Sequence, residues 1–317
     1  MILYFAIAGY DILGEVDELE KREIIDYVYS LQIINGKRSG FTGSLNCGCK
    51  FSDSPKEYHT YDTSHVTMTY TALSILVILG DDLSRINRKE LLNGLKALEH
   101  KLIPGNYQAS IFCPEHDARF IYSAVASAYI VGDTSIFDRK KILSFFESII
   151  SYEGGFGQAK HLESHAGISY CAISSAFLLD ILDELLPPNS KRKNRLIHWL
   201  ISLQTGGLHG RTNKRDDSCY TFWIGASLSM LGHPELIEKK RLVEFLNTAY
   251  YDKLHAFSKL PEGFPDPIHT YLTLSGLSCL NMGEDDSIIK LKKMCPALNM
   301  STCAQQNLEK VHNSWKN

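Results

Sequence analysis

Apolar residues gather in blocks with no polar face at 67–79, 120–131, 168–182, 220–231 and 270–280. A helix that is apolar all round is a buried one. Each block follows a polar loop, and each loop follows a turn with an aromatic residue or Leu: Gly40-Phe41, Asn106-Tyr107, Gly155-Phe156, Gly207-Leu208 and Ala256-Phe257. The second residues of these pairs are 66, 49, 52 and 49 positions apart, the first interval being lengthened by an insertion at 47–61. A period near fifty predicts a helical array or a closed ring of five visible repeats.

Between the blocks lie amphipathic stretches with charged openings at 87–100, 138–152, 191–204 and 239–251. They predict an outer layer around the buried helices. Ala and Ser recur along the inner set, as in Ala124, Ala126, Ser127 and Ala128, so inner helices can pack closely around a centre. Residues 1–13 are apolar, too short to span a bilayer and preceded by no positive charge, and predict a buried helix of the main fold entered part-way along. Alternating runs are short and lack hairpin turns, so no strand is predicted. The fold expected is all-α, with two concentric helical layers in a single domain over 1–317. Every inner helix then begins at the same end, and the polar loops meet at one mouth.

Composition removes some partners. With a formal charge of −3, no global basic field is available for nucleic acid or an acidic membrane surface, and no run approaches a membrane span. The eight cysteines lie mostly in apolar segments without disulfide or zinc-finger spacing, which predicts a reducing, cytoplasmic setting.

Chemistry concentrates just before the inner helices: His65; Asp117 and Arg119; Glu163 and His165; Arg211, Lys214, Asp217 and Cys219; Lys259 and His269. Asp217, Cys219 and His269 supply a carboxylate, a thiolate and an imidazole, three ligands for a catalytic Zn²⁺ with a fourth position open. On spacing alone Asp216 is a rival ligand. A helix N-terminus at Cys219 would favour its thiolate. His165, Arg211, Lys214 and Lys259, with the Tyr220 hydroxyl, suit an anion, a diphosphate leaving group above all. Tyr170, Phe222, Trp223 and Tyr271 beside them can line an apolar channel.

The run Asp217-Ser218-Cys219-Tyr220-Thr221-Phe222-Trp223, with His269 fifty residues after Cys219, resembles the β subunits of protein prenyltransferases. So do the segments 61–70, 79–85, 163–165 and 210–214, and the resemblance covers nearly the whole chain. It implies an α-α barrel, an α6/α6 toroid of helix pairs, incomplete at the N-terminus of this chain. It implies one Zn²⁺ held by Asp217, Cys219 and His269 rather than Asp216, and a diphosphate held by His165, Arg211, Lys214 and Tyr220. Trp223 would line the isoprenoid channel, and His65 and Arg119 would face the C-terminal residues of the protein substrate. Lys259 is similar to the lysine of type I geranylgeranyltransferases, where farnesyl and Rab-type enzymes carry an acidic residue. That implies geranylgeranyl diphosphate as donor, no need for Mg²⁺, Cys-a-a-X proteins with Leu at X as acceptors, Rho-type GTPases among them, and a separate α subunit as partner.

Two positions depart from the family pattern. Met1 falls where a small residue makes room for the longer isoprenoid, and Leu272 stands where an aromatic residue is usual. A farnesyl or Rab-type β subunit, or a truncated toroid that only binds a partner, are the other readings. A triterpene cyclase would need an Asp-rich protonating motif, and none is present.

Overall fold

The computed structural model describes residues 1–45, 63–282 and 290–316. The insertion at 47–61, with Cys47 and Cys49, lies outside the described residues. In chain order the helices are α1 (Ile2–Leu13), α2 (Lys21–Ser30), α3 (Val66–Ile78), α4 (Arg88–Lys96), α5 (Ala118–Ile130), α6 (Arg139–Ser148), α7 (Ala166–Leu178), the single turn α8 (Leu182–Leu185), α9 (Lys191–Ser202), α10 (Tyr220–Leu231), α11 (Lys239–Ala249), α12 (Pro267–Cys279) and α13 (Thr302–Ser314).

Six of them form the inner ring. α1 packs on α3, α3 on α5, α5 on α7, α7 on α10 and α10 on α12, and α12 returns to α1. The apolar stretch at the start of the chain is therefore the helix that closes the ring. Inner helices are buried almost throughout, as over 168–176, whereas outer α6 buries only Ile142, Phe145 and Phe146. The hydroxyls of Ser74, Ser127, Ser175 and Ser227 each donate to the carbonyl four residues earlier. That satisfies small polar side chains inside an apolar layer and leaves the helices free to approach closely. Closest are α10 and α12: a Cβ at Gly276 would stand 2.3 Å from the backbone carbon of Thr221.

The repeat seen in the sequence has a hydrogen-bonded basis. The carbonyls of Phe41, Phe156, Leu208 and Phe257 accept from the N–H groups of His65, His165, Asp217 and Asp266. The N–H groups of Phe41, Phe156 and Phe257 donate, each at 3.0 Å, to Thr69, Ser169 and Thr270 inside the next helix. Phe41, Phe156 and Phe257 are thus locked to the helix start that follows each of them, which fixes those mouth loops against the barrel.

Two expectations are corrected. Strands exist, as antiparallel ladders pairing 32–33 with 40–41, 108–110 with 113–116, 250–251 with 256–257 and 294–295 with 300–301. They are too short for alternation to show in sequence, and the all-α class is unaffected. α3, α5, α7 and α12 start earlier than their apolar blocks, α12 at Pro267 rather than 270, because polar capping residues precede the apolar run; α7 stops at Leu178, before Asp180 enters the left-handed region at φ 58°. A sixth unit, the 294–301 hairpin and α13, follows the five repeats marked in the sequence, as the toroid of six helix pairs implied by the resemblance requires.

That sixth unit closes the end opposite the mouth. Lys292 N–H bonds the carbonyl of Ile12 at the C-terminus of α1, and His312 Nε2 lies 3.0 Å from the carbonyl of Ile130 at the end of α5. From there the segment 296–299 reaches a layer of tyrosines, one from each of five inner helices. Tyr4 and Tyr271 donate to Asn299 O, Tyr70 to Leu298 O and Tyr170 to Pro296 O, while Tyr122 bonds Tyr70. Buried hydroxyls are satisfied by buried carbonyls, so a polar plug is tolerated in the barrel's centre. Among the described residues no helix is long and apolar enough to cross a membrane.

Candidate metal and diphosphate site

The predicted functional residues share a register. His65, Asp117, His165 and Asp266 are the N-caps of α3, α5, α7 and α12, each accepting a backbone N–H two residues on. The carboxylate of Asp217 does the same for Cys219 N–H, at 3.0 Å. In both histidine caps Nδ1 is the acceptor, from Thr67 N–H at 3.2 Å and Gly167 N–H at 3.0 Å. The ring proton of the neutral imidazole therefore sits on Nε2. Burial lowers the pKa of both; for His165 the nearby Arg211 and Arg119 lower it further. His165 is thus a neutral Nε2–H donor.

Asp217, Cys219 and His269 bring one ligand atom each within 4.8 Å of one another. His269 Nε2 lies 3.5 Å from Asp217 Oδ1, and its Nδ1 lies 2.6 Å from Asp266 Oδ2. A carboxylate on Nδ1 keeps the proton there and turns the Nε2 lone pair to the cluster. Burial, and then Asp217 beside it, push the Cys219 thiol far above its ordinary pKa. Cys219 does stand at the start of α10, but two anionic groups in a desolvated corner need a cation between them. The donor set of S, N and O, with a fourth side open, fits Zn²⁺. Asp216 is turned the other way, onto the 205–209 turn, and is not part of the cluster.

Lys259 stands beside the trio, Nζ 3.7 Å from Asp217 Oδ2, with its side chain 60% exposed. Tyr220, one residue after Cys219, places its hydroxyl 3.3 Å from His165 Nε2. The ring fits against Gly210, where a Cβ would lie 2.0 Å from the Tyr220 Cζ, so only glycine permits this contact. Arg211 follows at once and pairs with Glu163 at 2.7 Å. Arg119, held by the fully buried Asp117 at 2.6 Å, joins Arg211, His165 and Gln158 around a cavity of about 370 Å³. Trp223 packs edge-on to Tyr170 with ring centroids 5.1 Å apart, and Leu272 is buried. His65 lies against Phe120 across the next inner helix. Lys214 is exposed on the loop, its N–H bonded to Arg211 O, and its side chain is not among the groups brought together.

Asp266 and Gln158 escaped the sequence reading, and Gly210 entered it only as part of the 210–214 segment, with no role of its own. Only Asp266 carried a signal, an acidic residue three before a candidate metal histidine with Pro at the first helical position.

Residues 1–300 match the family model of the prenyltransferase alpha-alpha toroid domain. The chain belongs to the prenyltransferase family, as a β subunit. It is 37% identical to the geranylgeranyl transferase type-1 subunit beta of Dictyostelium discoideum, over 95% of this chain and 87% of that protein. To the subunit of the same name from Arabidopsis thaliana it is 33% identical, over 96% of this chain and 82% of that one. The fold is that of Candida albicans protein geranylgeranyltransferase-I complexed with GGPP, with a TM-score of 0.85 at 24% identity, covering 98% of this chain and 91% of that one. As a protein prenyltransferase β subunit, the chain carries its Asp-Cys-His cluster at the mouth of the toroid.

Proposed function

We propose that this β subunit, paired with an α subunit in the cytoplasm, transfers a geranylgeranyl group from its diphosphate to the cysteine of proteins ending in Cys-a-a-X, with Leu preferred at X and Rho-type GTPases among the substrates. The observation that carries the reading is the meeting of the Asp217–Cys219–His269 cluster, Lys259 and the His165–Tyr220–Arg211 group at one mouth. Similarity to type-1 β subunits at 37% and 33% identity supports the donor.

In the reaction a sulfur–carbon bond forms at C1 of the isoprenoid as the C1–oxygen bond breaks, the thiol proton is lost and diphosphate leaves. One Zn²⁺ held by Asp217, Cys219 and His269 would supply the Lewis acid that lowers the pKa of the substrate thiol. His165 Nε2–H, the Tyr220 hydroxyl and Arg211 hold the diphosphate and stabilise charge on its bridging oxygen, and Lys214, exposed on the 210–215 loop, reaches in only when the ligand is bound. Burial, Cys219 and Asp217 push the Tyr220 pKa up, so it remains a hydrogen donor. Lys259, free to swing toward the leaving group, takes the place a Mg²⁺ would fill. His65 and Arg119 face the substrate's C-terminus, and Trp223 and Leu272 border the isoprenoid. Leu102, Tyr152 and Phe264 protrude from mouth-side loops at 87, 84 and 78% exposure, apolar surface suited to the α subunit.

The test is transfer by the co-expressed αβ pair, with geranylgeranyl or farnesyl diphosphate, peptides ending in Leu or Ser, zinc present and magnesium withheld. Geranylgeranyl transfer to the Leu peptide is expected. A farnesyl preference or a strict magnesium requirement overturns the subtype, and a stable complex that transfers nothing overturns the reaction.

A further inference from the structure

The carboxylate of Asp216 gathers four donors. Gly207 N–H reaches Oδ2 at 2.7 Å and Gly206 N–H at 3.2 Å; the Thr205 hydroxyl lies 2.9 Å from Oδ1, and His209 Nδ1 lies 3.1 Å from the same oxygen. The carboxylate and His209 are both largely buried, with side chains 16% and 7% exposed. In other repeats the residue just before the cap makes a smaller version of this link: Ser64 donates to Ser39 O, and Ser164 bonds the Ser151 hydroxyl. Only beside the metal cluster is it built from a charged group with four partners.

What that link encloses distinguishes it. Residues 205–209 and 216–217 form the two sides of a loop base, joined also by Asp217 N–H to Leu208 O at 2.9 Å. The excursion between them, 210–215, carries Gly210, Arg211 and Lys214. It is tied outward by Ala166 N–H to Gly210 O, by Arg211 to Glu163 and by the Thr212 hydroxyl to Glu153. Those outer ties run to surface carboxylates or a single backbone bond. Of the ties on this loop, the base is the one in which a largely buried charge accepts several hydrogen bonds, which are stronger than neutral ones and costly to leave unmade.

We propose that Asp216 is a positioning residue: it closes the base of the 210–215 loop, holding Arg211 and Gly210 against Tyr220 on one side and aiming the Asp217 carboxylate at Cys219 and His269 on the other. The inference rests on the proposed function of this mouth and assigns Asp216 no contact with substrate or metal. Without the carboxylate, two backbone N–H groups and a buried imidazole lose their acceptor, the loop base opens, and both halves of the site lose register.

The test compares the wild-type αβ complex with Asp216→Ala, Asp216→Asn and Ser64→Ala. Three quantities are read: thermal midpoint, affinity for inorganic pyrophosphate, and affinity for Co²⁺ followed by its thiolate charge-transfer absorption. Asp216→Ala is expected to weaken pyrophosphate and Co²⁺ binding, each by about tenfold. Asp216→Asn keeps one acceptor oxygen and should recover part of both. Ser64→Ala, which removes the matching link in another repeat, should lower the midpoint while leaving both affinities unchanged. Wild-type affinities in a folded Asp216→Ala complex overturn the proposal, as does an equal loss in Ser64→Ala. A wild-type complex that binds both probes but transfers no prenyl group would overturn the proposed reaction, and the Asp216 comparison would still decide.

Discussion

Asp266 does two things to His269: its Oδ1 caps α12 by accepting the N–H groups of Ile268 and His269, and its Oδ2 holds the imidazole Nδ1 at 2.6 Å. Burial would raise the Asp266 pKa, yet its bonds from His269 outweigh this and hold it below the ordinary carboxylate value. The two roles separate by mutation. Asp266→Asn keeps an oxygen for the cap but lowers the charge facing Nδ1. Its thermal midpoint should stay near that of wild type while Zn²⁺ affinity falls about tenfold or more. Asp266→Ala should lose the cap as well, at about 1 kcal/mol. Chelator competition and thermal unfolding together check this, and unchanged zinc affinity in both variants would refute the orienting role.

Lys259 is an exposed cation beside the cluster, at 3.7 Å from Asp217 Oδ2. If it does the work of a divalent ion on the leaving diphosphate, Lys259→Ala should lower kcat by about a hundredfold. Millimolar Mg²⁺ should restore part of that rate in the variant and do nothing for wild type. A variant indifferent to Mg²⁺, with kcat preserved, would remove Lys259 from the reaction.

His165 titrates in a direction set by its surroundings. Burial first, then Arg211 and Arg119, place its folded pKa below the ordinary 6.5. The folded state thus binds the proton more weakly than the unfolded chain. Stability from this linkage is fully present above pH 6.5 and is lost as pH falls through the folded pKa. His165→Asn retains a capping oxygen but cannot titrate. Between pH 7.5 and 5.5 the wild-type complex should lose stability more steeply than this variant. Parallel curves would show that His165 is not the neutral donor described.

Much of the fold was legible because two periodicities coexist: blocks apolar on every side, such as 168–176, and amphipathic stretches such as α9 and α11. α13 was missed because only Ala304 and Leu308 of it are buried, leaving no apolar stripe to read. The plug at 296–299 could not be read either, since the tyrosines that bind it stand up to 295 residues away. At the site, residue type marked Asp217, Cys219 and His269, but spacing could not choose between adjacent Asp216 and Asp217. Orientation separates them: one carboxylate turns to the 205–209 turn and the other to Cys219.

Gly9 and Gly276 both lie inside inner helices, yet substitution by Ala should act in opposite directions. Alanine favours a helix over glycine by about 1 kcal/mol. At Gly9 on α1 nothing stands within 4 Å of an added Cβ, so Gly9→Ala should gain most of that amount. At Gly276 the new atom would meet the Thr221 carbon at 2.3 Å and the Phe222 nitrogen at 2.4 Å, backbone that cannot step aside. Overpacking of this kind costs about 1–3 kcal/mol, and contact with rigid backbone puts Gly276→Ala at the upper end, well beyond the propensity gain. Because α10 carries Cys219 at its start and α12 carries His269, pushing them apart should also weaken zinc binding. Denaturant unfolding of the αβ complex and zinc titration read both effects; a stabilised Gly276→Ala complex with wild-type zinc affinity would refute the close approach of α10 and α12.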